Sequence, residues 1–195
     1  MLQVMTRAPR SALSRKRARL LEIIKEKSFL VGGEFKLASG AVSNYYLDMK
    51  PTLFDPEGAS LTSELVYDIL KSEHKVDAVG GLELGAVPII AAVCALSWRD
   101  RPIAGFVVRK EKKGHGTDQK IDGNFTPNTT VVLVDDVTTR GGSVMKAVQA
   151  VRARGAVVNK VIAIVDRLEG AAENLEREGI ELEAIFTMRN LGGNV

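Results

Sequence analysis

Short segments rich in hydrophobic residues recur along the chain, separated by longer segments in which apolar positions recur every three or four residues. These segments lie at residues 77–79, 103–108, 131–134, 157–165 and 182–186, and of them 131–134 is apolar throughout. Apolar runs of this length, bounded by turn residues, are typical of strands buried on both faces of a parallel sheet. Their alternation with helical segments predicts an α/β fold with a central, mostly parallel sheet flanked by helices.

Helices are predicted from the periodicity and from capping residues. Asp55 followed by Pro56 is the pattern of an N-cap and a first helical turn, and this helix is predicted to run to about Leu70. The remaining helices are predicted at residues 15–28, from the glycine-rich segment 80–88 to about Trp98, at 144–154 and at 170–179. Residues 35–37 and 45–47 flank a turn and predict a hairpin.

The N-terminal segment differs in composition from the rest. Residues 1–14 contain Pro9, Ser11 and Ser14 among scattered arginines and are predicted to form a disordered basic tail. An acid-free start rich in Arg and Ser also resembles a transit peptide, but the segment is short and merges into a helix. Residues 15–195 are predicted to be one domain, with a small N-terminal hood at about 15–50 and a core at about 55–190.

Charge and composition narrow the class of protein. The net charge of +3 and the pI near 9.0 point towards nucleic acid. However, six basic residues and no acidic ones lie within residues 1–19, and the remaining chain has 21 basic and 24 acidic residues. Nucleic acid is therefore not expected as a partner of the domain. A single cysteine, Cys94, leaves no disulfide framework and fits a reducing cytoplasm, and no apolar run reaches the length of a membrane span.

The candidate chemistry is densest at residues 131–143, VVLVDDVTTRGGS. A buried strand is followed by Asp135 and Asp136, then by a loop of hydroxyl and glycine residues, then by a helix. Such a loop suits a phosphate, whereas paired carboxylates suit hydroxyls or a hydrated divalent cation. A phosphorylated ribose satisfies both. A Walker B element would need a phosphate-binding Gly-Lys loop that this chain lacks; a plain strand–helix turn with solvated aspartates stays open.

This segment resembles the phosphoribosyl diphosphate (PRPP) signature of type I phosphoribosyltransferases. The resemblance implies that Asp135 and Asp136 are catalytic residues that hold the ribose hydroxyls, and that the following loop holds the 5-phosphate. The implied PRPP-binding residues here are Asp135, Asp136, Val137, Thr138, Thr139, Arg140, Gly141, Gly142 and Ser143.

Residues 35–49, FKLASGAVSNYYLDM, resemble the N-terminal segment of orotate phosphoribosyltransferases, in which a Ser-Gly turn precedes an aromatic pair. Tyr46 and Leu47 are implied to bind orotate. Two family lysines are absent, since Ala38 and Leu84 occupy their positions. Lys36 and Lys50 are candidates to supply the cation that Ala38 does not. By spacing alone, the tyrosines are packing residues of a hairpin.

Residues 109–123, RKEKKGHGTDQKIDG, lack hydrophobic periodicity and carry many cations. Composition alone favours a solvated, charged surface. The segment also resembles the catalytic flexible loop, or lid, of orotate phosphoribosyltransferases. That resemblance implies that Arg109, Lys110, Lys113 and His115 bind PRPP and that Lys113 and His115 are catalytic, because a cationic lid stabilises a pyrophosphate leaving group.

Arg167 follows the strand 157–165, where a salt bridge with Asp166 or Glu169 would give it a purely structural role. In the resembling family an arginine here binds the carboxylate of the base. Orotate is therefore implied to contact Thr139 and Arg167 besides Tyr46 and Leu47. The resemblance further implies synthesis of orotidine 5-phosphate from orotate and PRPP for UMP, Mg²⁺ bound mainly through PRPP and water, and a cytoplasmic homodimer that shares its lids. Two alternatives stay open: a phosphoribosyltransferase for another base, and a non-enzymatic, nucleic-acid-binding regulator on this fold.

Overall fold

The structure, a computed structural model, describes residues 10–36, 42–111 and 120–192. Their elements, in chain order, are α1 (Arg10–Lys27), β1 (Phe29–Lys36), β2 (Val42–Leu47), α2 (Lys50–Leu53), α3 (Pro56–Ser72), β3 (Ala78–Leu82), α4 (Ala86–Ser97), β4 (Ala104–Val108), β5 (Ile121–Gly123), β6 (Thr130–Thr138), α5 (Gly142–Arg152), β7 (Val157–Asp166), α6 (Ala171–Glu176), β8 (Glu181–Thr187) and α7 (Met188–Leu191).

Six of the strands form one sheet in the order β5-β4-β3-β6-β7-β8. All neighbours in it are parallel except β4 and β5, which are antiparallel. The predicted α/β fold with a mostly parallel sheet is confirmed. Because β3 lies between β4 and β6, the strand order reverses at β3, and open α/β sheets bind ligands at such a switch point.

Two hydrophobic cores lie on the two faces of the sheet. In β6, Val132 and Val134 belong to the core that includes side chains of α1, α3 and α4, whereas Val131 and Leu133 belong to the core that includes α5 and α6. This alternation follows from the two-residue period of a strand. Burial on both faces explains why the central strands appear in the sequence as continuous apolar runs. No helix in the described ranges is long and apolar enough to cross a membrane.

The hairpin formed by β1 and β2 lies outside the main sheet. Its antiparallel register pairs Val31 with Tyr45 and Leu30 with Tyr46, and an irregularity follows between Val31 and Phe35. Directly paired residues share a face of an antiparallel ladder. Tyr45 therefore lies on the face opposite to Tyr46. Phe29, beside Tyr45, is buried in the core, whereas Leu30 is exposed.

Several boundaries differ from the sequence-based predictions. Helix α1 begins at Arg10 rather than at residue 15, so residues 10–14 are not part of a disordered tail; residues 1–9 lie outside the described ranges. The hairpin strands are longer than predicted because β1 starts at Phe29, which packs into the core. Residues 121–123 of the predicted lid form strand β5 against β4, which extends the sheet.

Two further corrections concern the ligand face of the sheet. Gly80 and Gly81, predicted to open a glycine-rich loop, belong to β3, whose pairing with β4 continues as far as Leu82 and Val108. Asp135 and Asp136 lie inside β6 rather than after it. The cause is pairing with β7, which continues to Thr138 and Asp166, whereas pairing with β3 ends at Leu133.

Candidate functional site

A cleft of about 280 Å³ lies at the carboxyl ends of β3, β4 and β6. It is placed at the switch point of the sheet, where ligands of open α/β folds bind. Because β6 continues past its pairing with β3, the segment from Asp135 onward has one edge open to this cleft. The lining residues are Lys50, Leu82, Glu83, Leu84, Gly85, Lys110, Asp135, Asp136, Val137 and Ser143.

The acidic pair forms one wall of the cleft. Asp135 is 7% exposed, and its Oδ1 accepts a hydrogen bond from the Asp136 N–H at 3.1 Å. Asp136 is half-buried, and its Oδ1 accepts from the Val137 N–H at 2.9 Å. Burial raises the pKa of the Asp135 carboxyl well above its usual value, and the neighbouring charge of Asp136 raises it further. A ligand or cation that satisfies this pair relieves an electrostatic cost.

The first turn of α4 forms the opposite wall. Gly85 directly precedes α4 and packs against the carboxylate of Asp136, so closely that a Cβ atom at this position would overlap Asp136 Oδ1. Only glycine fits there while Asp136 keeps its position. The start of α4 offers backbone N–H groups and positive potential to the same cleft.

The loop between β6 and α5, residues 139–141, has the properties of an anion site and is called the anion loop. Gly141, the N-cap of α5, has φ +77°, and within the described residues no side chain caps this helix start. In the same part of the chain, the buried Thr138 Oγ1 has no hydrogen-bond partner. Asn174 Nδ2 holds the loop from α6 by donating to the Arg140 carbonyl oxygen at 2.8 Å. Free N–H groups at a helix start, and an unused hydroxyl at the end of the preceding strand, suit a phosphate.

The first two cations of the predicted lid occupy different positions at the end of β4. Lys110 lines the cleft, and its backbone N–H donates to Glu83 Oε1 at 2.9 Å. Arg109 is in contact with Asp122 of β5, with 3.3 Å between the guanidinium nitrogen Nη1 and Oδ2, and its Nε lies 4.0 Å from Glu83 Oε2. Lys113 and His115 lie outside the described residues.

Arg167, at the end of β7, is held by groups from two elements. Its Nη2 donates to Tyr45 Oη at 2.9 Å, and its guanidinium carbon lies 5.3 Å from the centre of the Tyr45 ring. Its Nε lies 2.9 Å from Glu169 Oε1. The ion pair with Glu169 favours a structural role for Arg167. Its position between the hairpin and the sheet favours a role in binding.

Tyr46 and Leu47, the hairpin residues predicted to bind the base, are adjacent in β2 and therefore lie on opposite faces of the strand. Tyr46 stacks on Phe35, with 5.8 Å between ring centroids, on the face away from Tyr45. Leu47 packs against the core, and Thr139 is half-buried within the anion loop. The roles of Tyr46, Leu47 and Thr139 in binding stay predictions.

Sequence reasoning missed three residues of this region. Tyr45 contacts Arg167, Glu83 lines the cleft, and Asn174 supports the anion loop. Glu83 had a usable signal, because an acidic residue directly after a glycine-containing strand points to the ligand face. Tyr45 and Asn174 had none, since their contacts depend on hairpin register and on long-range packing.

The chain is similar to known proteins over most of its length. Residues 52–186 match the model of the phosphoribosyl transferase domain. The orotate phosphoribosyltransferase of Bradyrhizobium sp. (strain BTAi1) is 49% identical over 181 residues, which cover 90% of this chain and 97% of that protein. That of Aquifex aeolicus is 47% identical over 178 residues, with coverages of 90% and 97%.

Solved structures agree with these sequence matches. The orotate phosphoribosyltransferase of Mycobacterium tuberculosis H37Rv in complex with PRPP superimposes with a TM-score of 0.77 at 32% identity. The match covers 91% of this chain and 99% of that one.

Proposed function

The chain belongs to the orotate phosphoribosyltransferase family, and from this premise we propose how its residues divide the work of the reaction. The reaction transfers the ribose 5-phosphate group of PRPP to orotate, giving orotidine 5-phosphate and pyrophosphate for the synthesis of UMP. One observation carries the assignment of roles: the acidic pair of β6, which lines the cleft, is followed directly by the glycine-containing loop that leads into α5. A phosphorylated ribose has the hydroxyls and the phosphate that these two features require.

Two parts of PRPP, the ribose hydroxyls and the 5-phosphate, are assigned to the acidic pair and to the loop that follows it. Asp135 and Asp136 accept hydrogen bonds from the ribose hydroxyls, and residues 137–143 bind the 5-phosphate through backbone N–H groups and hydroxyls. Support comes from the buried Thr138 hydroxyl, which has no hydrogen-bond partner among the described residues. The diphosphate then extends towards Lys110 and the start of α4, which line the same cleft.

Orotate is placed between the hairpin and the sheet. Arg167 offers a planar, bidentate donor for its carboxylate, and Thr139, Tyr46 and Leu47 complete the base site. Support comes from the fixed position of Arg167 beside Tyr45. The Tyr46 ring is stacked on Phe35. Tyr46 can therefore contact the base either through its backbone groups or after a change in the conformation of the hairpin.

The chemistry requires no side-chain nucleophile. The bond between ribose C1 and the diphosphate oxygen breaks, its electron pair leaves with pyrophosphate, and a ring nitrogen of orotate forms the new bond to C1 from the opposite face. That nitrogen loses its proton to the medium or to the leaving group. The carboxylates of Asp135 and Asp136 favour the positive charge that develops on the ribose. Arg109, Lys110, Lys113 and His115 stabilise the negative charge of pyrophosphate.

Mg²⁺ is proposed to enter with PRPP. In the part of the chain that is described, no group of three or more His, Cys, Asp and Glu side chains could hold a metal. The Asp135–Asp136 pair nevertheless supplies the hard oxygen donors that Mg²⁺ accepts alongside phosphate oxygens and water. When bound, Mg²⁺ neutralises diphosphate charge. The buried carboxylate pair, whose charge burial disfavours, fits such a partner.

We also propose a cytoplasmic homodimer in which each lid reaches the partner's cleft. Between residues 84 and 98, every exposed residue is apolar: Leu84, Ala91, Ala95, Leu96 and Trp98. Trp98 is 75% exposed. An apolar helix face of this kind is usually covered. A second copy is the occupant that fits, because Leu84 also borders the cleft and a two-fold partner there would stand beside the site.

The activity is tested by following the absorbance of orotate in the presence of PRPP. We expect loss of orotate that requires both PRPP and Mg²⁺ and releases one pyrophosphate for each orotate consumed. Uracil, adenine and hypoxanthine, offered separately, should not be consumed. Turnover of a purine with orotate unchanged would replace this proposal with a phosphoribosyltransferase for another base. Salt-sensitive binding of nucleic acid without turnover would indicate a regulator.

A further inference from the structure

Lys50 contributes a cation to the cleft. The sequence indicates it only as one of two candidates, with Lys36, for the cation that Ala38 does not supply. It is the first residue of α2 and lines the cleft together with Lys110, Glu83 and the acidic pair. We propose that Lys50 is a further PRPP-binding residue and contacts the diphosphate from the hood side of the cleft. This inference rests on the proposed function.

The backbone at Lys50 is firmly anchored. Met49 and Thr52, on either side of it, are fully buried. Thr52 shares two hydrogen bonds with Ser28: 2.7 Å between the two hydroxyl oxygens, and 3.2 Å from the Thr52 N–H to Ser28 Oγ. The start of the side chain is therefore fixed beside the cleft, whereas the side chain itself is 52% exposed and can change its rotamer.

The present partner of Lys50 is easily exchanged. Its Nζ donates to Asp48 Oδ1 at 2.7 Å, and the Asp48 carboxylate also accepts from the Lys50 backbone N–H at 3.0 Å. The contact with Asp48 raises the pKa of the Lys50 ammonium, burial opposes this, and Tyr46 and Asp136 add smaller increases. Lys50 therefore stays charged. An exposed ion pair between near neighbours contributes little stability, so a multiply charged diphosphate can replace Asp48.

The charge balance of the cleft favours a phosphate contact. Three carboxyl groups line it, from Glu83, Asp135 and Asp136, against the two ammonium groups of Lys50 and Lys110. Diphosphate carries several negative charges and binds beside these acidic groups only with cations on other sides. Lys110 lies at the end of β4 and Lys50 at the start of α2, so the two approach from different elements.

The position of Lys50 also distinguishes the diphosphate from the base. Lys50 lines the same cleft as residues 82–85, which lead from the end of β3 into α4, whereas Arg167, proposed to bind the carboxylate of orotate, is not among its lining residues. The expected ligand of Lys50 is therefore the diphosphate rather than orotate.

Steady-state kinetics in both directions test this role. The reverse reaction tests the diphosphate contact more selectively, because its two substrates divide the phosphate groups of PRPP. Pyrophosphate has the diphosphate, and orotidine 5-phosphate has the 5-phosphate. For Lys50→Met we expect the KM for PRPP and for pyrophosphate to rise about tenfold to a hundredfold, as when one charge-assisted hydrogen bond is removed. The KM values for orotate and orotidine 5-phosphate should stay near those of wild type. Lys50→Arg should recover part of the affinity.

Two control variants separate binding from structure. Asp48→Asn removes the same ion pair but keeps the cation, so pyrophosphate should bind as in wild type or more tightly. Lys75→Met removes a lysine that is 64% exposed and paired with Asp77 at 3.6 Å, outside the cleft, and should change neither KM.

The inference alone is overturned if wild type turns over orotate while Lys50→Met retains the wild-type KM for pyrophosphate. It is also overturned if Asp48→Asn raises that KM as much as Lys50→Met does, because the ion pair would then be structural. A wild-type protein without PRPP-dependent turnover of orotate would overturn both this inference and the proposed function.

Discussion

Arg167, directly after β7, donates a hydrogen bond to the hydroxyl of Tyr45 in the hairpin, at 2.9 Å between nitrogen and oxygen and 122 residues away in the chain. The Tyr45 ring packs against Phe29, with centroids 5.8 Å apart, and Phe29 belongs to the core. The hairpin therefore fixes the orientation of the residue proposed to grip the base. This relationship joins the two parts of the chain between which orotate is expected to bind.

Replacing Arg167 tests its proposed contact with the base. Arg167→Ala should raise the KM for orotate about tenfold to a hundredfold, because a charge-assisted pair with the carboxylate is removed, and should leave the KM for PRPP nearly unchanged. Initial rates with each substrate varied in turn measure both constants. Equal weakening of both substrates would mean that Arg167 serves a structural ion pair with Glu169.

Removing the Tyr45 hydroxyl should weaken orotate binding indirectly. Tyr45→Phe keeps the ring next to Arg167 and removes one hydrogen bond, so we expect the KM for orotate to rise about threefold to tenfold without a comparable change for PRPP. Tyr67→Phe is the matched control, since the Tyr67 hydroxyl bonds to Arg101 and Asp100, away from the cleft. It should lower thermal stability only. A Tyr45→Phe enzyme with unchanged KM for orotate would refute the positioning role.

The buried carboxylate of Asp135 should make stability depend on pH. Its pKa is raised in the folded state, chiefly by burial, so the charged form opposes folding above that raised pKa, and the penalty disappears as pH falls towards the ordinary value of about 4. Asp135→Asn should therefore be more stable than wild type at pH 9, with a difference that shrinks towards pH 5. Urea unfolding across this range measures it. A constant difference, or one that grows on acidification, would contradict the raised pKa.

The shared lid predicts complementation between two inactive variants. Lys113→Ala should have a defective lid, and Asp136→Asn a defective pocket. If the two are unfolded and refolded together at equal amounts, random pairing makes half of the dimers mixed, each with one intact composite site. About a quarter of wild-type activity should return. If activity stays at the level of either variant refolded alone, each lid serves its own subunit.

The sequence predicted those parts of the fold that depend on residues close together in the chain. Buried parallel strands appear as apolar runs, and Asp55 with Pro56 marks the start of α3, where the Asp55 side chain accepts from the N–H groups of Glu57 and Gly58. The composition of residues 135–143 likewise pointed to one site. Asp135 and Asp136, which belong to this segment, line the cleft.

What the sequence could not predict depends on pairing between distant residues. Asp135 belongs to a strand because it pairs with Ala163 of β7, and Ile121 because it pairs with Val108 of β4. Which tyrosine of the hairpin faces Arg167 depends on register and on the irregularity after Val31. A shift of one residue exchanges the two faces of a strand, so the Tyr-Tyr pair alone could not identify Tyr45.

The acidic pair is proposed to act on the ligand rather than on the fold. The most direct test is the kcat of Asp136→Asn per folded molecule, with its unfolding free energy determined on the same preparation. We expect kcat to fall by at least about a hundredfold, because transition-state charge stabilisation is removed, while stability stays near wild type. A destabilised variant with normal turnover per folded molecule would contradict the account.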